Sequence, residues 1–267
     1  ILNELTKFSK NEKDKFIEFW KNFGPVIKEG LYENNEHHEK IMPLLRFQTS
    51  ESDNFLSLDE YIENMNPKQN EIYYFSNVDK ENIKNSPQLE AFIDKKIPVI
   101  FMIDAVDEFW IPNVGQYKDK KFKSITKGKV DLSKYKNEKN TSNLKKDNKI
   151  KDLINVLKVE LKDKISDVIV SERLTKSPII LLADETSMDI NMEKLMKIHN
   201  KNTPDSKKIL EINPNHPMIV KISDTLNNLD SKKIANLLLD QANILDGNTL
   251  SNPSNYIETL TEIFIKN

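Results

Sequence analysis

Apolar positions along this 267-residue chain change period several times, and each change marks a different kind of element. Over residues 1–50 the spacing is helical: Leu2, Leu5 and Phe8 begin one stripe, and Phe16, Phe19, Trp20 and Phe23 form an aromatic one. Gly24-Pro25 is expected to interrupt that helix, and a second should run through Ile41, Leu44 and Leu45. From Ser57 the element types alternate. Ser57 with Glu60 three residues on is a capping box, opening a short helix in SLDEYIENM. EIYYF (71–75) reads as a strand, and a helix should cover 79–96 with Ile83, Leu89 and Phe92 inside. PVIFMID (98–104) is the continuous apolar run of a strand buried on both faces. A short helix from Asp107 to Val114 and a strand at KFKSIT (121–126) complete a small αβα layered unit over 57–130.

Residues 133–151 hold seven lysines among many Asn and Ser, so a charged linker is expected at 136–150. A helix over 151–165 then uses Leu153, Val156, Leu157 and Leu161. VIVSERL and SPIILLA read as two strands of a hairpin, and KILEINP as a third strand ended by Pro214. The last two helices are 231–247, with Gly247 just past the end, and 252–267, with Asn252 as N-cap and Pro253 at N1. The expected fold is α/β of the α+β kind. A helical segment and the αβα unit make up residues 1–135. A small three-stranded sheet with helices, ending in a dimerising helix pair, makes up 151–267.

Between the second and third of these late strands, SMDINMEKLMK carries Met188, Met192, Leu195 and Met196 at i, i+4, i+7 and i+8, one stripe of a helix. Methionine is unbranched and polarizable, so such a stripe serves as core or as an adaptable surface for other proteins. The final helices carry two further stripes: Ile234, Leu237, Leu238, Gln241, Ile244 and Leu245, then Tyr256, Leu260, Ile263 and Phe264. They pack inside the protomer, or bury more when a second copy completes a four-helix bundle.

Charged residues are 31% of the chain and hydrophobic ones 37%, so the apolar pattern has enough material for a core. A net charge of −2 gives no basic field for nucleic acid or anionic lipid, and no apolar run approaches the length of a membrane span. Cysteine is absent, which removes disulfides and thiol chemistry and fits a reducing compartment. The five glycines are too scattered for a phosphate-binding loop. Because helical period is already running at Ile1, the chain is expected to be a piece of something longer.

Asp104, Asp107 and Glu108 put three carboxylates just after a buried strand, which raises a metal-dependent hydrolase as an alternative. As first-turn helix acids they would be stabilised by the macrodipole instead. His37 and His38 lie in a polar run, His199 ends the Met helix, and His216 sits in a turn before a helix; none has the partners of a metal site. Phe109 and Trp110, adjacent at the exit of a buried strand, cannot both face one core, and an exposed aromatic suits a protein interface.

Several unusual strings, in this order, resemble the heat-shock protein 90 chaperone family, most closely its bacterial branch. They are FWKNFGPVIKEGLYEN, IMPLLRFQTS, LDEYIENMNPKQNEIYYFS, SPQLEAF, DAVDEFW, VSERLTKSPIILL, LEINPNHP and LLLDQANILDG. The resemblance implies that 1–135 is the later part of that family's middle domain and 151–267 its C-terminal dimerisation domain. It implies a homodimer that contributes a binding surface for partly folded client proteins in an ATP-driven parent. ATP and magnesium are expected only in an N-terminal domain outside these residues, so no cofactor, metal or catalytic residue is expected here. By position, Glu108 and Phe109 match one client-contacting element, with Trp110 adjacent, and Met188, Leu195 and Met196 match another, with Met192 on the same stripe. The Met stripe is accordingly expected to be exposed in a dimer cleft. A purely structural dimerisation module is the remaining alternative. No nucleic acid or membrane partner is implied, and no tetratricopeptide co-chaperone either, since no Met-Glu-Glu-Val-Asp tail follows IFIKN. The resemblance implies a cytoplasmic protein, bacterial or organellar.

Overall fold

The computed structural model describes residues 1–33, 35–135, 148–200, 202–226 and 230–266, without the side chains of residues 35, 264 and 266. The chain forms two compact units. The first comprises Ile1–Asn85, Phe92–Ile125 and Asn191–Lys201; the second comprises Ser86–Ala91, Thr126–Ile190 and Asn202–Asn267. Of the expected linker, residues 136–147 lie outside the described residues, and Asn148 already opens a helix.

The first unit begins with α1 (Leu2–Asn11) and α2 (Lys13–Glu33). The break falls at Glu12 (φ −135°, ψ 61°) and not at Gly24-Pro25, which α2 carries inside it. At Gly24 a Cβ would lie 2.9 Å from the Trp20 indole, so glycine there leaves the indole room against the helix. The second helix expected before residue 50 is only α3 (His38–Ile41) and a 3₁₀ turn at Met42–Leu44. Leu45 is already extended, and β1 (Phe47–Thr49) pairs antiparallel with β2 (Ser52–Leu56).

The capping box forms as expected. Ser57 accepts from the Glu60 N–H and Glu60 accepts from the Ser57 N–H, starting α4 (Leu58–Glu63). After β3 (Glu71–Ser76), the single helix expected over 79–96 is broken into α5 (Lys80–Lys84), a 3₁₀ turn at Pro87–Leu89 and α6 (Glu90–Asp94). Pro87 is the cause, holding Ser86 extended. Next come β4 (Ile100–Met102), α7 (Asp107–Val114), β5 (Gln116–Tyr117) and β6 (Lys120–Ser124).

The six strands order as β2-β1-β4-β3-β6-β5, with β4 and β6 both parallel to β3. The chain leaves β3 for β4 on one side, then crosses through α7 to β6 on the other. That reversal places a topological switch point at the carboxyl end of β3, where crevices form in α/β sheets.

The second unit holds α8 (Asn148–Glu160), β7 (Ile165–Val170), β8 (Ile179–Leu182), most of the approach to α9 (Ile190–His199), β9 (Lys208–Ile212) and α10 (Pro217–Thr225). It closes with α11 (Ser231–Leu245) and α12 (Pro253–Lys266). The expected hairpin is not formed. β9 lies between β7 and β8, parallel to the first and antiparallel to the second. The eight residues between β7 and β8 therefore bridge over the end of β9: Ser171 N–H donates to Ile212 O at 2.7 Å, and Asn213 N–H to Pro178 O at 2.8 Å. Arg173 in that bridge pairs with the buried Glu211 of β9 at 3.1 Å, and its backbone O accepts from the Ala91 N–H.

The core joins Leu153, Leu157, Leu210, Ile212, Ile219 and Leu238 with their neighbours. His216 is structural, its Nδ1 accepting from Met218 N–H at the start of α10. Gly247 takes φ +75° after α11, and Asn252 caps α12 through the Asn255 N–H. The expected α/β (α+β) class holds, with two small mixed sheets and flanking helices among the described residues.

Candidate functional site

The residues singled out by sequence cluster on α7, α9 and the α11–α12 pair. α7 is fixed by charge. Lys28 of α2 is buried, and its Nζ lies 2.8 Å from Asp104 Oδ2 and 2.9 Å from Asp107, under cover of the Phe47 ring at 5.0 Å. Burial opposes the ammonium charge, but Asp107 and Asp104 outweigh it and hold the Lys28 pKa above its usual value. Asp107 also accepts from Trp110 Nε1 at 2.7 Å. Two of the three carboxylates that suggested a metal site, Asp104 and Asp107, are thus paired with an amino group. Among the described residues no group of three or more His, Asp or Glu is arranged to hold a metal ion, and nothing favours the hydrolase alternative.

The same network settles where the α7 aromatics go. Trp110 is fully buried, edge-on to Phe122 at 5.5 Å, so in this conformation its ring has no surface to offer a partner. Phe109 is half-buried and meets the exposed Tyr32 edge-on at 5.9 Å. Glu108 is not a surface acid either. It is 7% exposed, and its Oε1 accepts from Asn191 Nδ2 at 2.8 Å.

On α9 and its approach the Met stripe divides. Met188 is 47% exposed, Met192 and Met196 are half-buried, and Leu195 is buried. Of the stripe expected to be exposed in a dimer cleft, Met188 is thus open in the protomer and Leu195 is closed, and the far end of α9 adds the exposed Ile198, which the stripe did not include. The α11 stripe divides too. Ile234, Leu237 and Leu238 are buried within the protomer, Gln241 is half-buried, and Ile244 and Leu245 are exposed. On α12, Tyr256, Leu260 and Ile263 are half-buried, Ile257 and Ile265 are exposed, and the Phe264 side chain lies outside the described residues.

Sequence reasoning missed Lys28, Ser76, Asn191 and Tyr32. Lys28 left one signal, a charge on the apolar face of α2 between Gly24 and Leu31. Asn191 and Ser76 left none, because a single buried amide or hydroxyl does not disturb periodicity. No helix is long and apolar enough to cross a membrane among the described residues.

Comparison with known proteins supplies the family. Residues 1–267 match the family described as Hsp90 protein. The chain is 37% identical to the chaperone protein HtpG of Roseobacter denitrificans over 276 residues, covering 98% of this chain and 44% of that protein. It is likewise 37% identical to HtpG of Paramagnetospirillum magneticum, over 100% of this chain and 44% of the relative. Against HtpG of Coxiella burnetii it is 35% identical, over 99% and 42%. It therefore spans less than half the length of these relatives, and the whole of it lies within the matched region: the chain belongs to the Hsp90 family, in its bacterial HtpG branch.

Proposed function

We propose that this chain is the part of a chaperone that joins two copies and holds partly folded protein. The observation that carries the reading is the apolar surface left open on its last two helices: Ile244 and Leu245 on α11, Ile257 (58% exposed) and Ile265 on α12. A second copy presenting the same helices would cover these side chains by a two-fold arrangement, with Gln241, Tyr256, Leu260 and Ile263 at its margin. The client would meet scattered soft contacts, Phe109 with Tyr32 on one element and Met188 with Ile198 on another, which suits a promiscuous binder. In this reading ATP and magnesium act in an N-terminal domain of the parent, outside these residues, and the parent works in the bacterial cytoplasm.

Sedimentation of the 267-residue chain at micromolar concentration tests the first half. A dimer is expected, and Leu245→Asp with Ile257→Asp should give a folded monomer; a monomeric parent chain refutes the dimer. Met188→Glu tests the second half. It should weaken binding of an unfolded client while the dimer persists, and unchanged affinity would remove Met188 from the client face.

A further inference from the structure

In open α/β sheets the crevice at the carboxyl end of the strands, beside the switch point, is where ligands are held. Here that place is filled by a side chain of the protein itself. Ser76 is the last residue of β3, and Glu108 stands in the first turn of α7. Asn191 stands in the first turn of α9, a helix that arrives from more than eighty residues further along the chain. Its Nδ2 lies 2.8 Å from Glu108 Oε1 and 3.4 Å from Ser76 Oγ. All three side chains are more than nine-tenths buried. A buried amide stripped of its acceptor, or a buried carboxylate stripped of a donor, is costly, so intermediate positions of α9 are disfavoured.

We propose that Asn191 is an internal ligand of this crevice. Glu108 and Ser76 are positioning residues that seat it and so fix α9, with the Met188–Met196 segment it carries, in a docked state. Glu108 then governs client binding through α9 and not by touching the client. This inference rests on the client-binding reading only for its second experimental arm.

The first arm is hydrogen exchange of the α9 amides in the full 267-residue chain. Asn191→Asp sets two carboxylates at hydrogen-bond distance and should speed exchange of α9 by about ten- to a hundred-fold, the factor expected for a lost charge-assisted bond. Adding Glu108→Gln to Asn191→Asp should restore protection, because the glutamine amide can donate to the new carboxylate. Asn191→Ala, a milder change, should move exchange in the same direction as Asn191→Asp. Exchange of α9 equal to that of the parent in both single variants, or no restoration in the double variant, overturns the proposal.

The second arm is affinity for an unfolded client. Asn191→Ala should change affinity, and Glu108→Gln, which keeps a carbonyl acceptor but loses the charge, should change it in the same direction and by less. The reverse result, with Glu108→Gln impaired and Asn191→Ala unaffected, makes Glu108 a client contact and overturns the positioning role. A parent chain that binds no client would sink the proposed function and leave the exchange arm standing.

Discussion

Lys28→Met removes the ammonium that lies between Asp104 and Asp107, and its cost follows from which carboxylate can escape. The Asp104 side chain is 28% exposed and can turn to water; Asp107 is fully buried and cannot. Breaking a buried pair so that one charge remains costs about 3–5 kcal/mol. Methionine fills a similar volume, so little cavity energy is added, and the lost ammonium–ring contact with Phe47 adds about 1 kcal/mol at most. A loss of about 3–5 kcal/mol lowers a melting temperature by roughly 10–20 °C for a domain of this size.

The assay is built into the chain. Its two tryptophans, Trp20 and Trp110, both belong to the first unit, so intrinsic fluorescence follows the unfolding of that unit. The pH dependence gives a second check with a definite sign. In the parent, the Lys28 pKa is raised from 10.5, so its contribution is fully present below that value and is lost only as pH climbs through the higher folded value. Burial already holds the Asp107 carboxyl above its usual value in the parent, against the pull of Lys28; Lys28→Met removes that pull and raises it further, so the variant should gain more stability than the parent as pH falls from 7 toward 4. Adding Asp107→Asn should recover most of the loss at pH 7. A loss below about 1 kcal/mol, or a variant that improves on acidification no more than the parent does, refutes the reasoning.

Other perturbations test other parts of the fold. Gly24→Ala would stabilise an ordinary helix interior, but here the Cβ meets Trp20 at 2.9 Å, so a loss of about 1–3 kcal/mol is expected in fluorescence-monitored urea unfolding. A gain would show that the indole can move aside. Glu90 is partly buried, which raises its carboxyl, but the N–H groups of Lys176, Thr175 and Ser177 and the Ser177 hydroxyl bring it below the usual carboxylate range. Its contribution is present above the unfolded value of 4.5 and lost as pH falls through the lower folded value. Glu90→Gln should therefore cost the second unit about 1 kcal/mol at pH 7 and flatten its stability profile below pH 4.5, read by circular dichroism; an unchanged profile would count against it. Lys118 and Asp119 form a two-residue hairpin loop with φ of 46° and 61°, a type I′ turn made without glycine. Asp119→Gly should raise the melting temperature by relieving about 0.5–1 kcal/mol, and a lower one would contradict the turn assignment.

The sequence was legible where one local rule decided the outcome. The Ser57–Glu60 box and the Asn252-Pro253 start each rest on a few adjacent residues, and the β4 run VIFM needs no partner to be recognised as buried. Legibility failed where a distant residue decided. VIVSERL and SPIILLA have the composition of a hairpin, but Glu211 of β9 pairs with Arg173 and Glu90 ties down Thr175 to Ser177, so the connection spans a third strand. The short strands β1 and β2 escaped notice because they are three and five residues long and β2 exposes the adjacent Asp53 and Asn54, leaving too few apolar residues for a period to show. At α7 the carboxylate triplet was visible and its meaning was not, since Lys28 lies 76 residues earlier in the chain.

The end helices show why a stripe can be half core and half surface without any change of composition. α11 has fifteen residues and so runs about 22 Å, whereas β8, the strand it packs against, has four residues and covers about 13 Å. No single strand of that length can cover the whole helix. Ile234, Leu237 and Leu238 fall on the covered part and are buried, while Ile244 and Leu245, on the same stripe, lie at the far end and stay open. Periodicity reports the direction in which a side chain points and is silent on how far the opposing surface extends. α11 also packs on α8 and α12, so its open turn is the part that these helices and β8 together leave uncovered among the described residues, and covering it requires a further surface.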